Sequence, residues 1–451
     1  MKKKLLSVLL SVAVITSFLP GCAIKGWNPK LYKDTGKVLN IYCWNDEFMN
    51  YVAEYYPGYR DNGNGTGTIG NVKVNWIIEY NYDMNYQNIL DVALSKQDSA
   101  KDDKKVDIFL VEPEYADKYI NAEGVCISMK ELGLTRYMAD QYQYTKDVVT
   151  DDEGNIKGSA LMASPGVFAY RRSVAKQVFG TDDPKEIQEY FSDWDKFTDS
   201  AGKLWDVGWK VTAGYDDSYR VFAQNVSTPW VIDGEINVDE NLMKWVEQTK
   251  MFLDEGYIDG NLIWSEEWFE SMDKKEGTFG YFGPAWYIDF VLASGIMDEF
   301  NGPEEAGNGS WGDWAAIEGP APYYWGGYWI CVAEGSDNAN LAADIIYQMT
   351  CNPDIMEEMI SEEWPFCNNK TVMEKIAEEG MPNEFLGGQN VTEQYCAVAD
   401  AIRIEHTTPY DFDLSDLFQY QMKSYFDGDV DLDEALDSFY GGAEDIISGS
   451  E

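Results

Sequence analysis

Val38-Leu39-Asn40-Ile41-Tyr42-Cys43-Trp44-Asn45-Asp46-Glu47 is the stretch from which the fold is read. Residues 38–43 have the apolar, β-branched content of a strand, and they open into a polar loop where Asp46 is placed to cap a following helix. A Gly/Asn/Thr-rich loop over 61–70 then leads to a second strand over 72–78. Beyond it Tyr86, Ile89, Leu90, Ala93 and Leu94 recur at helical spacing. After the charged loop 101–105, residues 106–111 form a third, largely apolar strand of the kind buried on both faces. Three strand–helix alternations in succession predict a parallel sheet wrapped by helices.

Further along, 160–170 reads as a strand carrying Pro165-Gly166, and here the chain is expected to cross to a second lobe. Ser192-Asp193-Trp194-Asp195 has the spacing of a helix start. Residues 239–255 form an amphipathic helix with Leu242, Trp245, Val246, Phe252 and Leu253 on one face and Gly256 as its stop, so Trp245 belongs to the core. A short strand over 278–282 ends in Gly283-Pro284-Ala285-Trp286. The Gly/Pro-interrupted run 319–327 precedes a strand over 328–333 and marks the return crossing, after which helices dominate.

The chain has 451 residues, room for two or three domains. Its 34 basic residues against 79 acidic ones, a formal charge of −45, exclude a nucleic-acid footprint. An apolar content of 45% and 16 Trp, 30 Tyr and 20 Phe place it among folded rather than disordered acidic chains. Histidine occurs once, at His406, so neither a His-ligated metal site nor a Ser/His/Asp triad is expected, and no cofactor is. Asp427, Asp429, Asp431 and Asp433 alternate as in a calcium loop, but Leu432 stands where that loop needs glycine; a solvated turn and helix cap is the better reading.

Lys2, Lys3 and Lys4 precede an apolar stretch over 5–19, too short to span a bilayer comfortably, which reads as a signal peptide over 1–21. Its end, Leu19-Pro20-Gly21-Cys22, resembles the lipobox of bacterial lipoproteins, with Cys22 as the lipid attachment site and Pro20 in place of the usual small residue. Residues 22–36 would then be a lipid-anchored linker. The six remaining cysteines form no CxxC pair, and several sit in apolar strands as small buried hydrophobes.

The order of these pieces resembles the extracellular solute-binding proteins of bacterial carbohydrate ABC importers, family 1 lipoproteins, over essentially the whole mature chain. The likeness rests on the lipobox, the first strand ending in Trp44-Asn45-Asp46, and the third strand followed by Glu112. It rests also on Trp194-Asp195-Lys196-Phe197 after Tyr170-Arg171-Arg172, on Phe282-Gly283-Pro284-Ala285-Trp286, on 322–327, and on Phe426-Asp427-Gly428. Where the family commonly has Tyr-Asn, this chain has Tyr170-Arg171.

The resemblance implies a two-lobed α/β type II periplasmic-binding-protein fold. Each lobe would be a mainly parallel sheet flanked by helices, joined by two or three hinge crossings. The N-lobe would comprise 37–163 plus 329–372 and the C-lobe 164–328 plus 373–451. It also implies a non-enzymatic, monomeric receptor on the extracellular face of the cell membrane, held there by its N-terminal lipid, that passes an oligosaccharide to ABC permease subunits.

A pyranose offers apolar C–H faces and a rim of hydroxyls, so such a site needs flat aromatic platforms and carboxylate or amide partners. Trp44, Trp286, Trp325 and Trp364 are the candidate platforms. Asn45, Asp46, Glu112, Asp216 and Asp217 are the candidate polar partners; Asp46 serves equally as a helix cap and Asp217 as a turn residue. Glu112, at the C-terminal end of a parallel strand, lies where open sheets take their ligands. Arg171 reads as a surface residue or a partner of one of these carboxylates. Two other functions remain open: a receptor for peptides or cationic amines, which suits an acidic cleft, and an anchored glycosidase, for which pairs such as Glu266-Glu267 or Glu112 with Glu114 are weak candidates.

Overall fold

Leu39, Ile41 and Cys43 alternate along the first strand and are all wholly shut off from solvent, which makes that strand the spine of the first layer. The structure is a computed structural model that describes residues 31–80, 84–273, 277–296, 309–362 and 366–449. The expected signal peptide, Cys22 and Trp364 lie outside them, as does the linker up to residue 30.

Fourteen strands are described. They are β1 (Val38–Cys43), β2 (Tyr59–Gly63), β3 (Thr66–Ile69), β4 (Val72–Ile78), β5 (Ile108–Val111), β6 (Gly158–Ala160), β7 (Gly166–Arg171), β8 (Thr212–Gly214), β9 (Val231–Ile232), β10 (Glu235–Ile236), β11 (Ile258–Asn261), β12 (Gly280–Pro284), β13 (Trp314–Ile317) and β14 (Trp329–Val332). The first sheet has the order β2-β3-β4-β1-β5-β14-β6, and a second, three-stranded sheet has the order β12-β7-β13. β8 and β11 form a separate parallel pair, and β9 and β10 a short antiparallel one.

The strand–helix reading of the sequence holds at the centre of the first sheet, where β4, β1 and β5 run parallel. Helices Glu47–Tyr55, Asn85–Leu94 and Pro113–Ile120 follow β1, β4 and β5. Around that centre the pairing is antiparallel, and β7 is antiparallel to both its neighbours, so the expectation of a mainly parallel sheet in each lobe does not extend to the second sheet. The cause is connectivity. β14 arrives from the second sheet rather than through a crossover helix, so it enters where β5 leaves, with Trp329 opposite Val111 and Val332 opposite Ile108.

All four residues of β5 and all six of β7 are buried, as central strands covered on both faces should be. On the second sheet Phe168 is the hub of a ring cluster, with Phe282, Phe197 and Phe191 centred 4.8, 5.3 and 5.5 Å away at the offset or edge-on angles that aromatic quadrupoles favour. Trp245 is fully buried, as its helical face predicted. Arg171 is not at the surface, and its ion partner is none of the candidate carboxylates: it is buried in an ion pair with Asp313, at 3.0 Å.

The chain passes from the first sheet to the second between β6 and β7 and returns between β13 and β14. These crossings are bonded to one another: Gly166 N–H donates to the Tyr323 carbonyl at 2.8 Å and Trp325 N–H to the Ser164 carbonyl at 3.1 Å. Gly326 and Gly327 follow at φ +71 and +92, left-handed values that a side chain resists, and they swing the chain back into β14.

Candidate functional site

A cavity of about 960 Å³ opens between elements of the two sheets. Trp44 and Glu47 line it after β1, Gln87 from the helix after β4, Glu112, Glu114 and Tyr115 after β5, and Tyr328 at the start of β14. From the other side come Arg220, Trp286 and Phe290, with Phe412 and Asp416 from helix Asp411–Phe426; Trp325, Gly326 and Gly327 of the return crossing lie between. The position follows from the topology, because β1 and β5 both end here and leave their loops free to face outward.

The indoles are fixed by their surroundings. Trp286 Nε1 donates to the Trp325 carbonyl at 3.0 Å, and the two rings lie 5.3 Å apart at 67°. The Arg220 guanidinium sits 4.1 Å from the centre of the Trp325 ring, a cation–π contact. Opposite, Trp44 packs edge-on against Tyr86 and Tyr328 at 5.4 and 6.0 Å.

Burial shapes the charge. It pushes the Glu47 carboxyl up to about 7, against the Asn45 amide and with the help of Asp46. It raises Glu114 as well, where Arg220 pulls the other way, and it lowers Arg220, where Glu114 and Asp216 oppose it. Three buried polar atoms on this wall, Gln87 Oε1 and the hydroxyls of Tyr115 and Tyr328, have no hydrogen-bond partner among the described residues. Buried polar groups are nearly always paired, so these atoms have hydrogen-bonding capacity left for water or a bound molecule.

Of the residues singled out in the sequence, Trp44, Glu112, Trp286 and Trp325 line this cavity. Asn45 and Asp46 do not. Asn45 Oδ1 accepts from Glu47 N–H at 3.1 Å and so performs the capping expected of Asp46, whose exposed side chain makes no cap bond. Asp216 and Asp217 are likewise committed elsewhere. Asp217 is buried and accepts from Ala213 N–H, Gly214 N–H and Trp268 Nε1 at 2.8, 2.7 and 2.9 Å. Asp216 accepts from Ile263 N–H at 3.2 Å through either oxygen. A carboxylate that must satisfy inward-pointing backbone donors is not available to the cavity.

A family model described as bacterial extracellular solute-binding protein matches residues 68–376. The chain belongs to that family. No curated protein sequence matches the chain. Among solved structures, an extracellular solute-binding protein of family 1 is 16% identical with a TM-score of 0.75, covering 91% of this chain and 99% of its own. The galacto-N-biose/lacto-N-biose I-binding protein of the Bifidobacterium longum ABC transporter, in complex with lacto-N-biose, is 14% identical with a TM-score of 0.65, covering 92% and 98%. The sugar-binding protein MalE of Xanthomonas citri is 11% identical with a TM-score of 0.67, again covering 92% and 98%. At these identities the likeness speaks for the fold, the two-lobed periplasmic-binding-protein architecture, and the family is one of extracellular binding proteins rather than enzymes.

Sequence reasoning missed Glu47, Gln87, Arg220, Tyr328, Phe290, Phe412 and Asp416 on the wall of this solute-binding protein, and considered Glu114 only as half of a weak glycosidase pair. Glu47, Gln87 and Glu114 each sit within a turn of a helix start beside a parallel strand end, a signal that sequence carries. Arg220, Phe412 and Asp416 come from helices whose approach to the cavity depends on tertiary packing alone.

Proposed function

We propose that this chain is the lipid-anchored substrate-binding component of an ABC importer, which captures a neutral oligosaccharide in the cavity between its two sheets and hands it to a membrane permease without making or breaking a bond. The pairing of indole faces with unpartnered buried polar atoms carries this reading: Trp44, Trp286 and Trp325 suit sugar C–H faces, while Gln87 Oε1 and the Tyr328 hydroxyl await hydroxyl partners. A volume of about 960 Å³ lies at the upper end of the ordinary range for small-molecule sites and has room for more than one ring. Similar proteins in complex with β-1,6-galactobiose and lacto-N-biose add support. Because the cavity is walled from both sheets, a ligand touching both sides shifts an open–closed equilibrium toward closure.

Four carboxylates, Glu47, Glu112, Glu114 and Asp416, face one guanidinium, Arg220, and this favours a second reading as a receptor for cationic amines. It ranks lower because burial holds Glu47 and Glu114 toward their neutral forms, so the wall is less anionic than its composition. Calorimetric titration of the purified chain with neutral oligosaccharides and with polyamines tests both. Saturable heat with a neutral glycan left intact supports the first; heat with polyamines alone supports the second; glycan hydrolysis overturns both. The lobe limits at 163/164, 328/329 and 372/373, the anchor at Cys22 and a monomeric state belong to the same proposal.

A further inference from the structure

Trp264 is the one large aromatic residue among the described residues with a left-handed backbone, at φ +71. Bulky side chains avoid that region, and those found there are held by their surroundings. The holding is visible. Trp264 lies in the turn 262–265 between β11 and helix Glu266–Asp273, where the Asp216 carboxylate accepts Ile263 N–H at 3.2 Å and the Leu262 carbonyl accepts Ser265 N–H at 3.0 Å. Ser265 Oγ in turn accepts Trp268 N–H at 3.2 Å.

The core holds only part of the Trp264 ring, which rests on Trp268 with the ring centres 5.5 Å apart. Trp268, at 1% exposure, fills the interior beside this turn, whereas Trp264 keeps 49% of its surface in water. What the turn achieves is alignment: the Trp264 ring is centred 5.7 Å from that of Trp325, which is 5.3 Å from that of Trp286. A third indole thus stands beside the two of the cavity wall and is open to solvent. Phe290, which lines the cavity from beyond Trp286, is also exposed, so apolar surface on this side does not stop at the enclosed space.

We infer that Trp264 is an outer sugar platform, and that the ligand is an oligosaccharide long enough to run past Trp286 and Trp325 and stack its outlying ring on Trp264. This rests on the glycan-binding reading above and extends it to ligand length. Asp216, committed to the turn, is a positioning residue for the platform rather than a ligand contact.

The test titrates the purified full chain with maltooligosaccharides and xylooligosaccharides, each from disaccharide to hexasaccharide, in the natural form and as Trp264→Ala and Trp264→Gly. In the natural chain, affinity is expected to climb with length in whichever series binds. Both variants should lose about tenfold on the longest ligand, a typical worth for one aromatic contact, and leave the disaccharide unchanged. Glycine tolerates the left-handed backbone where alanine does not, so Trp264→Gly should melt higher than Trp264→Ala while losing the advantage of length equally. Equal loss at every length, or no loss at any, overturns the platform. If the natural chain binds no oligosaccharide of either series while polyamines bind, the glycan reading itself falls and the platform with it.

Discussion

The indole N–H of Trp286, at the end of β12, donates to the carbonyl oxygen of Trp325 in the return crossing, at 3.0 Å. One residue is thereby both wall and brace: its ring faces the cavity and its only donor fastens the second sheet's loop to the hinge. Trp286→Ala should weaken glycan affinity by tenfold or more. Trp286→Phe keeps a ring but loses the bond, so it should retain part of the affinity while costing about 1 kcal/mol of stability. Calorimetry and urea denaturation on the two variants separate the roles; equal affinity in Trp286→Ala and the natural chain would remove Trp286 from the site.

Tyr328→Phe should move stability and affinity in opposite directions. The hydroxyl is buried and unpartnered among the described residues, so deleting it relieves an unsatisfied group and leaves the free protein as stable or slightly more so. If that hydroxyl pairs with a ligand, affinity falls about tenfold, the worth of one buried hydrogen bond. A melting curve and a titration on the same preparation suffice, and loss of stability without loss of affinity would contradict the assignment.

How much of this was written in the sequence depends on whether local pattern or distant contact sets the outcome. The strand of 38–43, the helix stopped by Gly256 and the burial of Trp245 depend on local periodicity and appear as read. The loop expected over 61–70 is instead largely the hairpin β2–β3, turned by Gly63, Asn64 and Gly65, all left-handed. β2 is an edge strand with four of its five residues exposed, so it lacks the apolar alternation that reveals strands. Trp44, Trp286 and Trp325 were legible because they follow strand ends or crossings. Asp216 and Asp217 occupy a similar place in sequence, after β8, but nothing local reveals that Ile263 and Trp268, some fifty residues on, need them as acceptors.

Asp217→Ala should destabilise the protein without emptying the cavity. Three donors, Ala213 N–H, Gly214 N–H and Trp268 Nε1, would lose a buried acceptor at once, which costs about 3 kcal/mol or more. Since Asp217 does not line the cavity, the folded protein should keep its affinity for a disaccharide. Urea midpoints report the first effect and titration below the unfolding range the second; full stability in the variant would show that these bonds are replaceable.

Acidification from pH 8 to pH 5.5 should raise the melting temperature. Burial lifts Glu47, Asp107, Asp216 and Asp411 to about 7 and Asp217 to about 6 in the folded protein, whereas the unfolded chain titrates near the ordinary carboxylate range. The folded state therefore binds more protons than the unfolded one between roughly pH 4 and 7, and the stability that this supplies is full below the lower value and lost as pH rises through the higher. Carboxylates held low, such as Asp193 by Lys196 N–H and Glu131 by the Ser128 hydroxyl, act oppositely, but their contribution is lost only as pH falls below the ordinary range. The self-repulsion of a chain with a formal charge of −45 at pH 7 works in the same direction as the buried acids. Scanning calorimetry across this interval decides the matter: a melting temperature that rises with pH would mean that these carboxyls are ionised in the folded protein and stabilised by partners stronger than their burial.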